Sequence, residues 1–179
     1  MTNSENKSSL KAASHIDYML RTTQQHHATL SSMADQKANI LIGVSLLMLT
    51  ILYTKMLVDG FSVAILTLTV FTLVAVSLAL IAVTPSTSRP TSNTDKFNPL
   101  FFGHFATLEP DEYMARMRAV MDSDEEVYRT LIRDIYQLGQ VLYRRKYRYL
   151  AYSYRVFLLG LVLTFVAVIM EAHVFNVGL

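Results

Sequence analysis

Residues 38–54, 60–88 and 156–170 contain no Asp, Glu, Lys or Arg. No other feature of the chain restricts its fold as tightly. A helix rises about 1.5 Å per residue, so about 20 apolar residues cross a hydrocarbon core about 30 Å thick. The second stretch, apolar from 61 to 83, has this length by itself. The first reaches it if Lys55 snorkels its ammonium to the far interface and 56–58 stay in lipid. The third reaches about 22 residues if it starts near Tyr149 and Arg155 snorkels back to the near interface. Hydrophobic residues make up 52% of the chain and charged residues 17%, where a soluble domain carries about 25% charged residues. The predicted fold class is therefore an all-α integral membrane protein with three transmembrane helices, two of them extended into a cytoplasmic helical bundle. The competing reading of the third stretch is the core helix of a soluble bundle.

These lengths divide the chain into a cytoplasmic N-terminal helix (1–37), transmembrane helices at 38–58, 61–84 and 149–172, a cytoplasmic linker with helices (85–148), and an external tail (173–179). The first apolar stretch lies behind a long polar segment that holds Asp17 and Asp35. A secretory signal places its apolar run directly behind a basic start, so this segment is expected to be retained. The first two spans join through a short hairpin around Lys55, Asp59 and Gly60. Of the 16 Lys and Arg, only Lys55 falls on the hairpin side. The positive-inside rule then places the N-terminus and the basic middle region in the cytoplasm and the C-terminus outside. In a Gram-negative host this is a multi-pass inner-membrane protein with a periplasmic tail.

Before the first span, Ile16, Leu20, Thr23, His27, Leu30 and Ala34 recur at steps of three and four, which is one helical face. No Pro or Gly interrupts 8–42, so one helix starting near Ser9 runs from water into lipid; 1–7 are polar and expected to be disordered. The stretch 85–96 reads as an irregular linker. Residues 97–105, FNPLFFGHF, carry four Phe and should plug against helices or the lipid interface. Residues 110–122 read as an amphipathic helix with Tyr113, Met114, Met117, Val120 and Met121 on its apolar side. Ser123 and Glu126 have capping-box spacing. From there Val127, Leu131, Ile135, Leu138 and Leu142 repeat like a heptad seam, weakened at Gly139. The seam needs a partner: the N-terminal helix, or the same helix in another subunit of a homo-oligomer. Without a proline, it predicts one rigid rod that carries packing changes from its wet half to its dry half.

There is no cysteine, which excludes disulfides, thiolate zinc sites and a cysteine nucleophile. Phosphate-loop, nucleophile-elbow and paired-His zinc motifs are missing, so no catalytic residue, metal ligand or cofactor is assigned. The histidines, His15, His26, His27, His104 and His173, read as solvated polar residues. A net charge of +2 does not suggest nucleic-acid binding. Hydroxyls at Thr67, Thr69, Thr72 and Ser77 either line a pore or bond within their own helix. Two charged clusters remain. Asp35 and Lys37 sit at the mouth of the first span, and Arg133, Asp134 and Tyr136 lie further from the membrane. These five residues form the candidate ligand site, with Arg forks for phosphate and Tyr for stacking on a base. Arg144, Arg145, Lys146, Arg148, Tyr149, Tyr152, Tyr154 and Arg155 read as an interfacial belt facing the lipid bilayer. An ion pair between Arg133 and Asp134 is a further expectation. The residues alone leave open a ligand-gated effector, a constitutive helical membrane scaffold and a small channel subunit.

The runs MADQKANILIGVSLLML (33–49), NPLFFGHF (98–105) and RDIYQLGQVLYRRKYRYL (133–150) occur in order around the spans. From about His15 onward the chain resembles the membrane-spanning effector of the pyrimidine cyclase antiphage system, Pycsar. The resemblance implies a functional partner, a pyrimidine cyclase that makes cyclic UMP or cyclic CMP on infection. It implies that the effector senses this nucleotide and compromises the inner membrane, so that the infected cell dies before phage matures. Such an effector needs no active site.

Overall fold

A computed structural model of the chain describes residues 3–84 and 97–177, with side chains described for 14–84 and 97–174. No strand occurs among the described residues. The helices are α1 (Asn3–Asp59), α2 (Val63–Val83), α3 (Phe102–Phe105), α4 (Pro110–Met121), α5 (Asp124–Val141) and α6 (Arg148–Val177). A π-helical turn, Leu142–Tyr147, joins α5 to α6. The expected linker at 85–96 lies outside the described residues. α1 begins earlier than Ser9, because nothing between Asn3 and Ser9 stops a helix from propagating. α6 is described through Val177, so the helix of the third span runs on into the segment read as the tail.

The chain divides into two compact units. The membrane-spanning unit comprises Ser32–Thr84 and Tyr143–Leu179. Three helices are long and apolar enough to cross a bilayer, within Ser14–Asp59, Val63–Val83 and Asp124–Val174. Their large side chains point outward. Ile51 is 63% exposed and Phe165 68% exposed. A soluble core helix would bury such groups, so the soluble-bundle reading of the third span fails; these surfaces suit lipid.

The interior of this unit is made of small residues. On α2 the buried positions are Ala64, Thr72, Ala75, Val76, Ala79 and Ala82, and α6 packs along them. Lipid is as apolar as leucine, so close backbone approach and interhelical hydrogen bonds hold helices together. Ser153 Oγ donates to the Ala75 carbonyl at 2.6 Å. At Gly160 an added Cβ would collide with Cβ of Phe71. On α1, Ala34, Ala38, Leu41 and Ser45 are buried at steps of four and three. Of the span hydroxyls, Thr69 and Ser77 donate to their own helix, to Ile65 and Leu73 carbonyls at 2.8 Å each. Thr72 is fully buried, 3.9 Å from the Met48 sulfur.

The hairpin forms where it was expected. Gly60 adopts φ +81°, the left-handed conformation that ends a helix without steric cost to glycine. Ser62 caps α2, its Oγ accepting from the Ile65 amide at 3.1 Å. Glu171 of α6 accepts the Ala64 amide at 3.2 Å. A carboxylate at this helix start satisfies an orphan amide and suits the dipole.

The second unit comprises Met1–Ser31 and Pro85–Leu142. α4 has Pro110 at its first turn with Asp111 and Glu112. Its apolar side is narrower than expected: Tyr113, Met117 and Val120 are half-buried, whereas Met114 and Met121 are exposed. Ser123 caps α5 by accepting the Glu126 amide at 3.2 Å. The Glu126 carboxylate lies 3.8 Å from Arg129, so only the serine half of the capping box is seen among the described hydrogen bonds. α5 meets α1 at positions beside the expected seam: Tyr128 O–H donates to Asp17 at 3.0 Å, and His27 packs on the bare face of Gly139. The buried positions of α5 are Thr130 and Asp134, neither of them on the expected seam, whose Val127, Leu131, Ile135 and Leu138 are half-buried.

The expected rod is continuous from Asp124 to Val174, but it is not α-helical throughout. The π turn at Leu142–Tyr147 accommodates one extra residue per turn and resets the register of every side chain beyond it. No proline or glycine marks it, so residue type alone does not disclose it.

The collision at Gly160 gives a direct test of the packing between α2 and α6. Gly160→Ala should lower unfolding stability in detergent by about 1–3 kcal/mol through overpacking, measured as a reduced circular-dichroism melting midpoint. An unchanged midpoint would show that the helices do not approach this closely.

Candidate functional site

The aromatic run 97–105 folds around one asparagine. Asn98 is fully buried. Its Oδ1 accepts the Leu100 amide at 2.9 Å, an Asx-type turn just ahead of α3. Its Nδ2 donates to Asp134 Oδ1 and to Gln137 Oε1, both at 3.1 Å. Asp134 Oδ2 accepts from Gln24 Nε2 at 3.0 Å. Asp134 is 5% exposed, and both carboxylate oxygens are occupied by amide donors. This knot ties α1, α5 and the aromatic run together. A buried carboxylate persists only with such partners.

His104 closes the loop. Its Nδ1 accepts the Asn98 amide at 2.9 Å, and its ring stacks on Phe97 with centroids 5.5 Å apart. Phe101 meets the same ring edge-on at 5.0 Å. Burial lowers the His104 pKa below its ordinary 6.5. Arg116 lies over the other aromatic partner, Phe97, at 4.2 Å. Phe105 reaches Tyr113 of α4 at 5.4 Å. Phe97, Phe101 and Phe105 are thus half-buried in this packing, whereas Phe102 is 73% exposed, so the run is plugged only in part.

Arg133 and Asp134 do not pair. Adjacent residues on a helix point about 100° apart. Arg133 instead donates from Nη1 to the Phe97 carbonyl at 3.3 Å, while Asp134 faces the knot. Tyr136 is 66% exposed. Arg133 and Tyr136 are three residues apart and share a face of α5. They present a guanidinium and an open aromatic ring.

In the membrane-spanning unit, Asp35 is paired. Lys146 Nζ donates to its two oxygens at 2.7 and 2.6 Å, with side-chain exposures of 23% for Lys146 and 39% for Asp35. Lys146 was expected to face lipid. It lies in the π turn and pairs with Asp35. Lys37 contributes its backbone: its carbonyl accepts the Tyr154 O–H at 3.1 Å. Tyr149 packs with Val83 and Tyr147 on a cluster of Ala34, Ala38, Ala82 and Leu150. Arg144 and Arg145 are exposed in the π turn. Arg148 and Arg155 flank the Tyr152 ring at 5.9 and 6.0 Å.

Sequence reasoning missed Asn98, Gln24, Gln137, Ser153 and Glu171. Asn followed by Pro inside an aromatic run is a turn signal with a mechanism, so Asn98 was recoverable. Glu171, the first acid after the third apolar stretch, was visible too. Gln24 and Gln137 carry no local signal. Among the described residues, no three of His, Asp and Glu come together as a metal-binding group.

The fold and these contacts define a helical membrane protein with one apolar, membrane-spanning unit and a second helical unit built around a buried polar knot. Residues 18–172 match the family model of the Pycsar effector protein domain. The chain belongs to that family of membrane effectors. No curated protein and no solved structure matches it.

Two measurements test the site's electrostatics. Asp35→Lys and Lys146→Asp should each lower stability, and the double exchange should recover about 0.5–1 kcal/mol of coupling in a double-mutant cycle; zero coupling would remove the latch. The unfolded chain binds a proton at His104 more readily than the folded chain, so stability rises with pH there. His104's contribution is full above about pH 6.5 and is lost as pH falls below it. Melting midpoints should drop across that window, and the non-titrating His104→Gln variant should flatten the drop.

Proposed function

We propose that the protein is an antiphage defence effector. It senses cyclic UMP or cyclic CMP made by a partner pyrimidine cyclase and disrupts the inner membrane, causing abortive infection. The observation that carries this reading is the family match over 18–172, nearly the whole chain. The three outward-facing apolar helices support it, because an effector that perforates or disorders a bilayer must be seated in one. In this reading the N-terminus and the basic middle region face the cytoplasm, where the nucleotide is made, and the tail faces the periplasm. Protomers assemble as homo-oligomers, since a lesion large enough to depolarise a cell needs more helices than one copy supplies.

Arg133 and Tyr136 are the residues assigned to the nucleotide. The guanidinium takes the cyclic phosphodiester and the open ring stacks on the pyrimidine. Asp134 and Asn98 position them by holding α5 against the aromatic run. A nucleotide drawn onto Arg133 competes with the Phe97 carbonyl for that guanidinium. Ligand binding thereby loosens the loop that the knot retains. The π turn supplies a flexible register between α5 and α6.

Purified protein in nanodiscs, titrated with cyclic UMP and cyclic CMP, should bind one of them saturably. Arg133→Ala should weaken binding at least about tenfold, the scale of a lost charge-assisted hydrogen bond. Liposomes carrying the protein should release dye only with the bound nucleotide. No saturable signal at millimolar nucleotide would end the sensor reading.

A further inference from the structure

A groove of about 370 Å³ in the membrane-spanning unit is lined by Lys37, Tyr147, Leu150, Ala151 and Tyr154. We infer that it is a phospholipid site, in which the Lys37 ammonium takes the phosphodiester of an anionic bilayer lipid and the acyl chain runs down α6.

The charge balance of the groove favours an anion. Lys37 is exposed and has no ion pair among the described residues. Of the charges next to the lining residues, Asp35 and Lys146 neutralise each other at 2.6 Å, and Arg148 and Arg155, adjacent in sequence to Tyr147 and Tyr154, are cations that add to the attraction for an anion. The Tyr154 hydroxyl donates to the Lys37 carbonyl. This holds the Lys37 backbone against α6 and leaves its flexible side chain over the groove. Tyr154 therefore walls the site and does not donate to the ligand.

The groove also lies at the right depth. Lys37 is the last charge before the charge-free stretch 38–54, so its ammonium stands where hydrocarbon gives way to water. Arg148 and Arg155 beside Tyr152 mark the same interface on α6. Below it, Ala151, Tyr154, Leu158, Leu161 and Phe165 follow one another at steps of three and four. That is one face of α6, and its three distal members are exposed. The face is an apolar track leading from the cation into the bilayer.

A phosphodiester is common to phospholipids and cyclic nucleotides. The track decides for lipid: a compact nucleotide has no tail to lay on Leu158 and Phe165. This inference does not depend on the nucleotide assignment at Arg133.

Native mass spectrometry of the full-length protein, titrated in detergent with phosphatidylglycerol or phosphatidylcholine, tests it. Wild type should retain phosphatidylglycerol preferentially. Lys37→Ala should lower that retention about fivefold, the effect of one basic side chain at an anionic surface, and Lys37→Arg should restore it. Excess cyclic UMP should leave the retained lipid in place. Equal retention by Lys37→Ala and wild type would overturn the proposal. So would displacement of the lipid by cyclic UMP together with loss of nucleotide binding in Lys37→Ala, which would make the groove a nucleotide site. Lys37 is exposed, and circular dichroism should show unchanged helix content in both variants.

Discussion

Backbone amides and carbonyls have no water to bond inside a bilayer, and the rest of this structure depends on that. Each span must satisfy its own ladder, so each is a helix. The chain then has no hydrophobic force with which to gather its helices, because lipid serves apolar side chains as well as a core does. Contact is made with small groups and hydroxyls: Ala75, Ala79 and Ala82 on α2, Ser153 and Gly160 on α6. The same rule explains the one acid near the far end of α6. The first amides of α2 lack intrahelical partners, and Glu171 reaches one of them while Ser62 reaches another.

The second unit works under the opposite solvent. Water supplies a hydrophobic drive there, yet the deepest part of α5 is Asp134. The buried carboxylate is tolerated because Gln24 and Asn98 each give it a donor. Its directional bonds select one arrangement of α1, α5 and the aromatic run from the many that apolar contact alone would allow. Phe97 and Phe101 pack on His104, whose ring accepts the Asn98 amide beside these bonds.

The boundary between the units on the α5–α6 side falls between Leu142 and Tyr143, within the π turn. A π turn is stored register: its hydrogen bonds are poorer than those of an α-helix, and such turns gather at functional positions. Its basic residues have separate tasks. Lys146 is turned inward to Asp35, whereas Arg144 and Arg145 stay outside.

The chain's amino-acid order by itself determined the helical class, the three spans, the hairpin at Gly60, the cap at Ser123 and the partial plugging of the aromatic run. Each of these follows from local chemistry: hydropathy over about 20 residues, a left-handed glycine, a hydroxyl three residues from an amide, or too many Phe for water. Tertiary structure alone decided that Asp134 turns to Asn98 and Gln24 and away from Arg133, that Lys146 pairs with Asp35, and that the expected rod contains a π turn. These depend on which groups from distant segments arrive within about 3 Å of one another. Charge and periodicity along one segment carry no record of that arrival.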